Sequence, residues 1–361
     1  MLEEIDALHR DWTRCLLEFT CNSESLRFSN NFIFLMSSSA IVSMLGQNHT
    51  TVTEFILIGF SPFPQLQLPF FLPFFVLFLL MYLFTLLGNL LIMLAVWREQ
   101  SLHKPMYFFL CTLSISEIAY TMVINPRMFA DLVSTHHTIS FWGCANQMFF
   151  TFAFGLAHCF LLTIMGYDRY VAICHPLRYN VLMSSQVCVW LVASSWLSGI
   201  VMGLVITLPI FNLTFCGPNV IHHFFCQVPP LLKLACGDAS AVAIGIGLLY
   251  IIVLLGCFSL IFLSYTFIAA TILKIPSAEG RRKAFSTCAS HLIVVIIHYG
   301  FSSVVHLKSK ALEALEGDTL MGISYSVLTP FLSPIIFSLR NKELKDALKK
   351  VLLRSLCPSR L

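Results

Sequence analysis

The sequence predicts an all-α membrane protein, a seven-transmembrane helix bundle with a short amphipathic helix after the seventh span. Three observations predict it. The 361 residues are 57% hydrophobic and only 11% charged, with a mean hydropathy of +0.82, whereas soluble domains carry about 25% charged residues. Charge vanishes in long runs: no Asp, Glu, Lys or Arg occurs over 55–97, 132–167, 179–232, 239–273, 284–307 or 319–339. Lys and Arg then cluster in alternate connections between those runs. The net charge of +4 is mild, and no basic run interleaved with aromatics is present, so no nucleic-acid partner is expected.

The elements follow in order. Residues 1–67 form an extracellular N-terminal segment. Its first 43 residues mix six acids with three Arg, and their clearest apolar run is the short Phe32 to Met36. A signal peptide needs a basic start and an apolar core of about 7–15 residues, so 1–43 read as a poorly ordered extension. Met44 is an alternative start, and the first span can itself serve as the targeting signal. The bundle covers 68–340. A helix needs about 20 apolar residues to cross the hydrocarbon core, and that length is met at 68–97, about 106–126, 132–167, roughly 185–208, 239–273, 284–307 and 319–339. Residues 341–361 are the amphipathic helix and tail: in "KELKDALKKVLL", Leu344, Leu348, Val351 and Leu352 share one face and Lys the other, as suits the inner membrane surface.

Orientation comes from the basic residues. With the N-terminus outside, the inner loops and tail hold Arg98, Lys104, Arg169, Arg178, Lys274, Arg281, Arg282, Lys283, Arg340, Lys342, Lys345, Lys349, Lys350, Arg354 and Arg360, most of the 22 Lys and Arg. The positive-inside rule favours this arrangement. The sequon Asn48-His49-Thr50 then lies outside, as glycosylation requires. Cys144, Cys216, Cys226 and Cys236 also face the outside, an oxidising compartment, and four cysteines allow three pairings. A Cys at 357 is a candidate for palmitoylation.

Polar residues inside the spans stand out. Asn89 in "LGN" follows a Gly that permits close helix approach, and Glu117 is the one carboxylate deep in a span. Intramembrane acids are expensive and usually functional. At the foot of span three, Asp168-Arg169-Tyr170 ends a run without charge, and Arg169 cannot lose its proton. "KAFSTCASHL" at 283–292 is unusually polar, and its His291 is either a pH-sensitive switch or a satisfied core histidine. Pro334 breaks the ladder of the last span.

Five strings in order, each at a span end, now carry a resemblance: "LHKPMYFFL" at 102–110, "MGYDRYVAICHPLRY" at 165–179, "SY" at 264–265, "KAFSTCASHL" at 283–292 and "PFLSPIIFSLRNKEL" at 330–344. From about Thr53 to Leu352 the chain resembles a rhodopsin-like G-protein-coupled receptor, and more narrowly an olfactory receptor of the tetrapod class II type. The resemblance implies disulfides Cys144–Cys226 and Cys216–Cys236, a sodium and water site at Glu117 and Asn89, and a G-protein switch of Asp168, Arg169, Tyr170, Tyr265, His291 and Pro334. It departs in span seven, where Ser333 and Phe337 stand in place of the family's Asn and Tyr.

Counting back from Arg169 places Thr151, Phe152, Gly155 and Leu156 on the outer third of span three. Spans five to seven add Leu249, Tyr250, Val253, Tyr299, Ser302, His306, Ile323 and Ser326. Amine receptors carry an Asp at the position of Thr151; a hydroxyl there argues against a biogenic amine. A mainly apolar pocket with few polar groups suits a small, neutral, volatile molecule. The expected function is therefore an odorant receptor that activates a stimulatory olfactory-type heterotrimeric G protein and raises cAMP, at the plasma membrane of olfactory cilia. No resident cofactor is expected beyond Na⁺ near Glu117. The alternative is a related receptor for a non-odorant lipid or metabolite outside the nose. An odd number of spans and no evident inverted repeat speak against a transporter, and the scattered His and Ser residues form no catalytic constellation.

Overall fold

A computed structural model describes residues 52–58, 71–133, 137–216, 218–306 and 317–356. Seven long helices form the bundle: α1 Phe71–Arg98, α2 Pro105–Val133, α3 Phe141–Cys174, α4 Ser185–Phe211, α5 Ser240–Leu273, α6 Ala278–His306 and α7 Gly317–Arg340. The amphipathic α8 spans Lys342–Leu356. The first five are each long and apolar enough to cross a membrane, and α6 joins them as two halves that meet at a bend. The end of the bundle at Thr138 is termed outer and the end at Arg169 inner, following the orientation implied by the basic residues.

Burial ranks the helices. The most apolar stretch of α2 is 61% buried and that of α3 56%, against 17% for α5. Thus α2 and α3 are central, while α5 presents apolar side chains to lipid. Because lipid is as apolar as Leu, helices associate through close packing rather than hydrophobic burial. Small residues make this possible here. A Cβ at Gly199 of α4 would collide with the Ala153 backbone oxygen, and one at Gly203 would lie 3.0 Å from the Phe149 oxygen, so α4 lies directly on α3. Gly88 plays the same part between α1 and α7, where an added Cβ would sit 3.1 Å from Pro334 Cβ.

Three features extend the sequence expectation. Helix α2 continues through Pro126 to Val133, and α3 begins only at Phe141. There Ser140 caps it, its Oγ accepting from the Gly143 N–H at 3.0 Å. Between them the all-α prediction misses a small outer sheet: β1 Glu54–Leu57 pairs antiparallel with β2 Thr138–Ser140 and parallel with β3 Val220–Ile221, in the order β2-β1-β3. Part of the N-terminal segment is thereby fastened to the bundle. Phe55 anchors it, fully buried against Phe141 and Phe215 with ring centroids 6.1 and 5.5 Å away. At the inner end, α8 buries Leu344, Ala347 and Val351, while Leu352 stays exposed beside Leu353. Lys104 Nζ lies 2.7 Å from Glu343 Oε2, and Lys350 Nζ 3.2 Å from Glu99 Oε2, which clamps α8 to the first inner loop. Asn48, Met44 and Cys357 lie outside the described residues.

Candidate functional site

The outer loop over the bundle is held at several points. Cys144 at the head of α3 is bonded to Cys226, and Cys216 to Cys236, the pairs that the family resemblance implies. Gln147, one turn below Cys144, accepts from the Cys226 N–H at 3.0 Å and donates to the Val123 carbonyl of α2 at 3.3 Å. His223 of the same loop is buried against Phe225, with rings 4.6 Å apart, and burial pushes its imidazole down to about 4. The loop therefore covers the bundle as a packed, neutral lid.

Beneath it, the predicted ligand residues separate into groups. Leu156 is buried in one cluster against which Phe152, Leu249, Tyr250 and Val253 pack. Tyr299 is buried at 3% exposure and Ser326 at 1%. Of the polar members, the Thr151 hydroxyl donates to the Gln147 carbonyl at 2.7 Å and Tyr250 and Ser302 share a hydrogen bond of 2.6 Å, while the buried Tyr299 hydroxyl has no hydrogen-bond partner. The side chains of His306 and Ile323 lie outside the described residues.

Gly155 instead lines a deeper cavity with Glu117, Tyr120, Phe154, His158, His298, Thr329 and Pro330. Its open core is about 20 Å³, the size of a water or two. Sequence reasoning missed Tyr120, Phe154, His158, His298 and Thr329 as one site. They come from four helices, and no string brings them together. Asn89 and Ser333 are polar neighbours of the Glu117 carboxyl, yet neither of its oxygens has a hydrogen-bond partner. Asn89 Nδ2 is spent on the Thr85 carbonyl at 3.0 Å. Two free carboxyl oxygens beside an amide and a hydroxyl fit a hard monovalent cation, which takes oxygen ligands as other hard cations do.

At the inner end, Asp168 is fully buried and Arg169 only 8% exposed. Arg169 is ion-paired with Asp168, its Nε donating to Oδ2 at 3.0 Å, and the Tyr179 hydroxyl donates to Asp168 Oδ1 at 2.7 Å. The pair needs such partners, since a buried charge left alone is strongly destabilising. Tyr170 does not join it; its hydroxyl lies 3.0 Å from His175 Nε2. Tyr265 of α5 also stays with α6, its hydroxyl 2.8 Å from His291 Nδ1, while His291 Nε2 lies 2.9 Å from the Leu162 carbonyl of α3. Of the alternatives for His291, the structure shows a satisfied, 1% exposed histidine that ties α3, α5 and α6 together. Pro334 lies inside α7 with Pro330.

A family model described as "Olfactory receptor" matches residues 78–355. The chain is 69% identical over 314 residues to human Olfactory receptor 10H1, covering 87% of this chain and 98% of that protein. It is 60% identical over 315 residues to mouse Olfactory receptor 10H28, covering 87% and 99%. Among solved structures, squid rhodopsin shares the fold, with a TM-score of 0.61 at 14% identity over 85% of this chain and 90% of that one.

Proposed function

The chain belongs to the olfactory receptor family, and from that membership we propose that it is an odorant receptor for a small, mostly apolar, neutral volatile. As a rhodopsin-like G-protein-coupled receptor it is a multi-pass membrane protein that takes a small-molecule ligand and a heterotrimeric G protein, and it is not an enzyme. The finer reading is that ligand binding in the bundle activates a stimulatory olfactory-type G protein and raises cAMP. The receptor then acts at the plasma membrane of olfactory cilia, with its N-terminus and the Asn48 sequon outside. In the resting state Glu117, beside Asn89, holds Na⁺.

One observation carries the signalling part: Arg169 is sequestered by Asp168 while Tyr265, the group it would meet on activation, is engaged by His291. On this reading the two pairings hold the inner face closed, and a ligand that favours a different α5–α6 packing can shift the equilibrium. The apolar cluster around Leu156 supports the volatile ligand. A cAMP screen of a diverse volatile panel in cells expressing the full chain tests the proposal. A dose-dependent response abolished by Arg169→Ala at preserved surface level is expected. Responses only to non-volatile lipids or metabolites would overturn the ligand class, and signalling without cAMP would overturn the coupling.

A further inference from the structure

Three polar side chains with unpartnered atoms converge on the deep cavity, and their hydrogen-bonding capacity is one-sided. Glu117 of α2 is 2% exposed, His158 of α3 6% and Thr329 of α7 5%, and all three line the cavity. Neither Glu117 oxygen has a partner, nor does His158 Nε2, nor Thr329 Oγ1. Buried polar groups are otherwise nearly always satisfied, so this coincidence in one space marks a place that something else completes.

The tautomer of His158 says what that is. Ser116 Oγ lies 2.7 Å from the Leu113 carbonyl and donates its single proton there. The same Oγ lies 3.3 Å from His158 Nδ1 and can only accept from it. The proton of the neutral ring therefore sits on Nδ1, and Nε2 presents a lone pair to the cavity. Na⁺ beside Glu117 does not answer this lone pair, because a hard cation takes oxygen ligands. A donor is required.

We propose that the deep cavity is the head-group subsite of the ligand pocket and takes a hydroxyl, its O–H donating to His158 Nε2. The inference rests on the odorant-receptor reading and narrows its ligand to aliphatic alcohols. Thr329 can donate to the same hydroxyl oxygen, which aldehydes and esters could also use, but those acceptor-only groups leave Nε2 orphaned. The open core of about 20 Å³ holds a hydroxyl and not a chain. The chain runs instead toward Leu156 and Phe152, which lie along α3 from Gly155, the one predicted ligand residue on the cavity wall. Thr151, Tyr250 and Ser302 are occupied with other partners; the Tyr299 hydroxyl is unpartnered but is not on the cavity wall, and the deep cavity is where unmet polar atoms of three helices meet.

The test uses the full chain in lipid nanodiscs and reads the ligand-induced rise in its thermal unfolding midpoint. The probes are matched straight-chain 1-alcohols, aldehydes, methyl esters and primary amines. The alcohol should bind about tenfold more tightly than the matched aldehyde or ester, as expected for leaving one buried acceptor unpaired. His158→Leu should erase that difference, and His158→Gln, whose amide oxygen is again an acceptor, should keep part of it. Equal binding of alcohol and aldehyde, a preference for the amine through Glu117, or a preference that survives His158→Leu each overturn the proposal. So does stabilisation by no alcohol of the series. If volatiles of other classes then still raise cAMP in cells, the odorant-receptor reading stands without the hydroxyl subsite. Silence in both assays sinks the two together.

Discussion

Tyr265 and His291 lie with their rings nearly parallel, at 11°, and the phenol oxygen is 2.8 Å from Nδ1. The other ring nitrogen reaches the Leu162 carbonyl at 2.9 Å. A carbonyl can only accept, so Nε2 donates to it; in the neutral ring Nδ1 then accepts from the Tyr265 hydroxyl. One imidazole thus joins α3, α5 and α6, whose separation the proposed activation requires.

Replacing that imidazole should release them. His291→Leu removes two hydrogen bonds worth about 1 kcal/mol each, enough to move the closed–open equilibrium by roughly tenfold to thirtyfold. Ligand-independent G-protein activation at matched surface level should rise accordingly, and Tyr265→Phe, which loses the α5 contacts to His291 and the Cys288 carbonyl but leaves His291 on the Leu162 carbonyl of α3, should raise it less. Unchanged basal activity in His291→Leu would falsify the tether.

The Asp168 carboxylate offers a second test. Tyr179→Phe deletes the 2.7 Å bond to Oδ1 but leaves the ion pair with Arg169. A hydrogen bond to a charged group contributes about 1.5–3 kcal/mol. Basal activation should therefore increase in this variant, whereas Arg169→Ala should abolish ligand-driven signalling. A Tyr179→Phe receptor as quiet as the parent would show that the loop tyrosine does not help to hold the lock.

Packing of α4 on α3 depends on two missing side chains. Gly199→Leu must push α4 off the Ala153 backbone and should cost about 1–3 kcal/mol, as overpacking does, seen as a lower unfolding midpoint and reduced surface protein. Gly245 of α5 has nothing within 4 Å of a built Cβ, and Gly245→Leu should change neither. Equal loss in both variants would mean that α5 is covered by more than lipid.

The lid predicts a dependence on pH. His223 is held near 4 by burial, below the ordinary value of about 6.5. Between those values the unfolded chain binds the proton and the folded chain does not, so stability is complete above about pH 6.5 and declines as pH falls. The slope attributable to His223 approaches about 1 kcal/mol per pH unit in that window. Thermal unfolding followed from pH 7 to pH 5 should show a fall that is shallower in His223→Phe; identical slopes would remove His223 as its source.

How far each part was legible follows from the range of the interaction behind it. Spans must be long and uncharged in any bilayer, so the seven helices and the amphipathic α8 can be read from composition along the chain. The positions of Asp168, Arg169 and Glu117 are legible for the same reason, since a charge in an apolar run is conspicuous wherever the chain later goes. The partners of those charges are not. Tyr179 on Asp168, His291 between Tyr265 and Leu162, and Gln147 between Val123 and Cys226 depend on how each helix is rotated in the bundle. So does the deep cavity, whose walls come from α2, α3, α6 and α7. Glu54–Leu57 is equally silent alone, because a strand of four residues acquires its hydrogen bonds only when 138–140 and 220–221 arrive beside it. By itself the sequence determined which segments are long and apolar enough to enter the membrane and at which end of the third span the Asp168–Arg169 pair lies. Only the tertiary structure decided which polar groups are satisfied, because satisfaction is a property of pairs distant in the chain. It therefore left Nε2 of His158 without a partner, about one turn along α3 from Gly155.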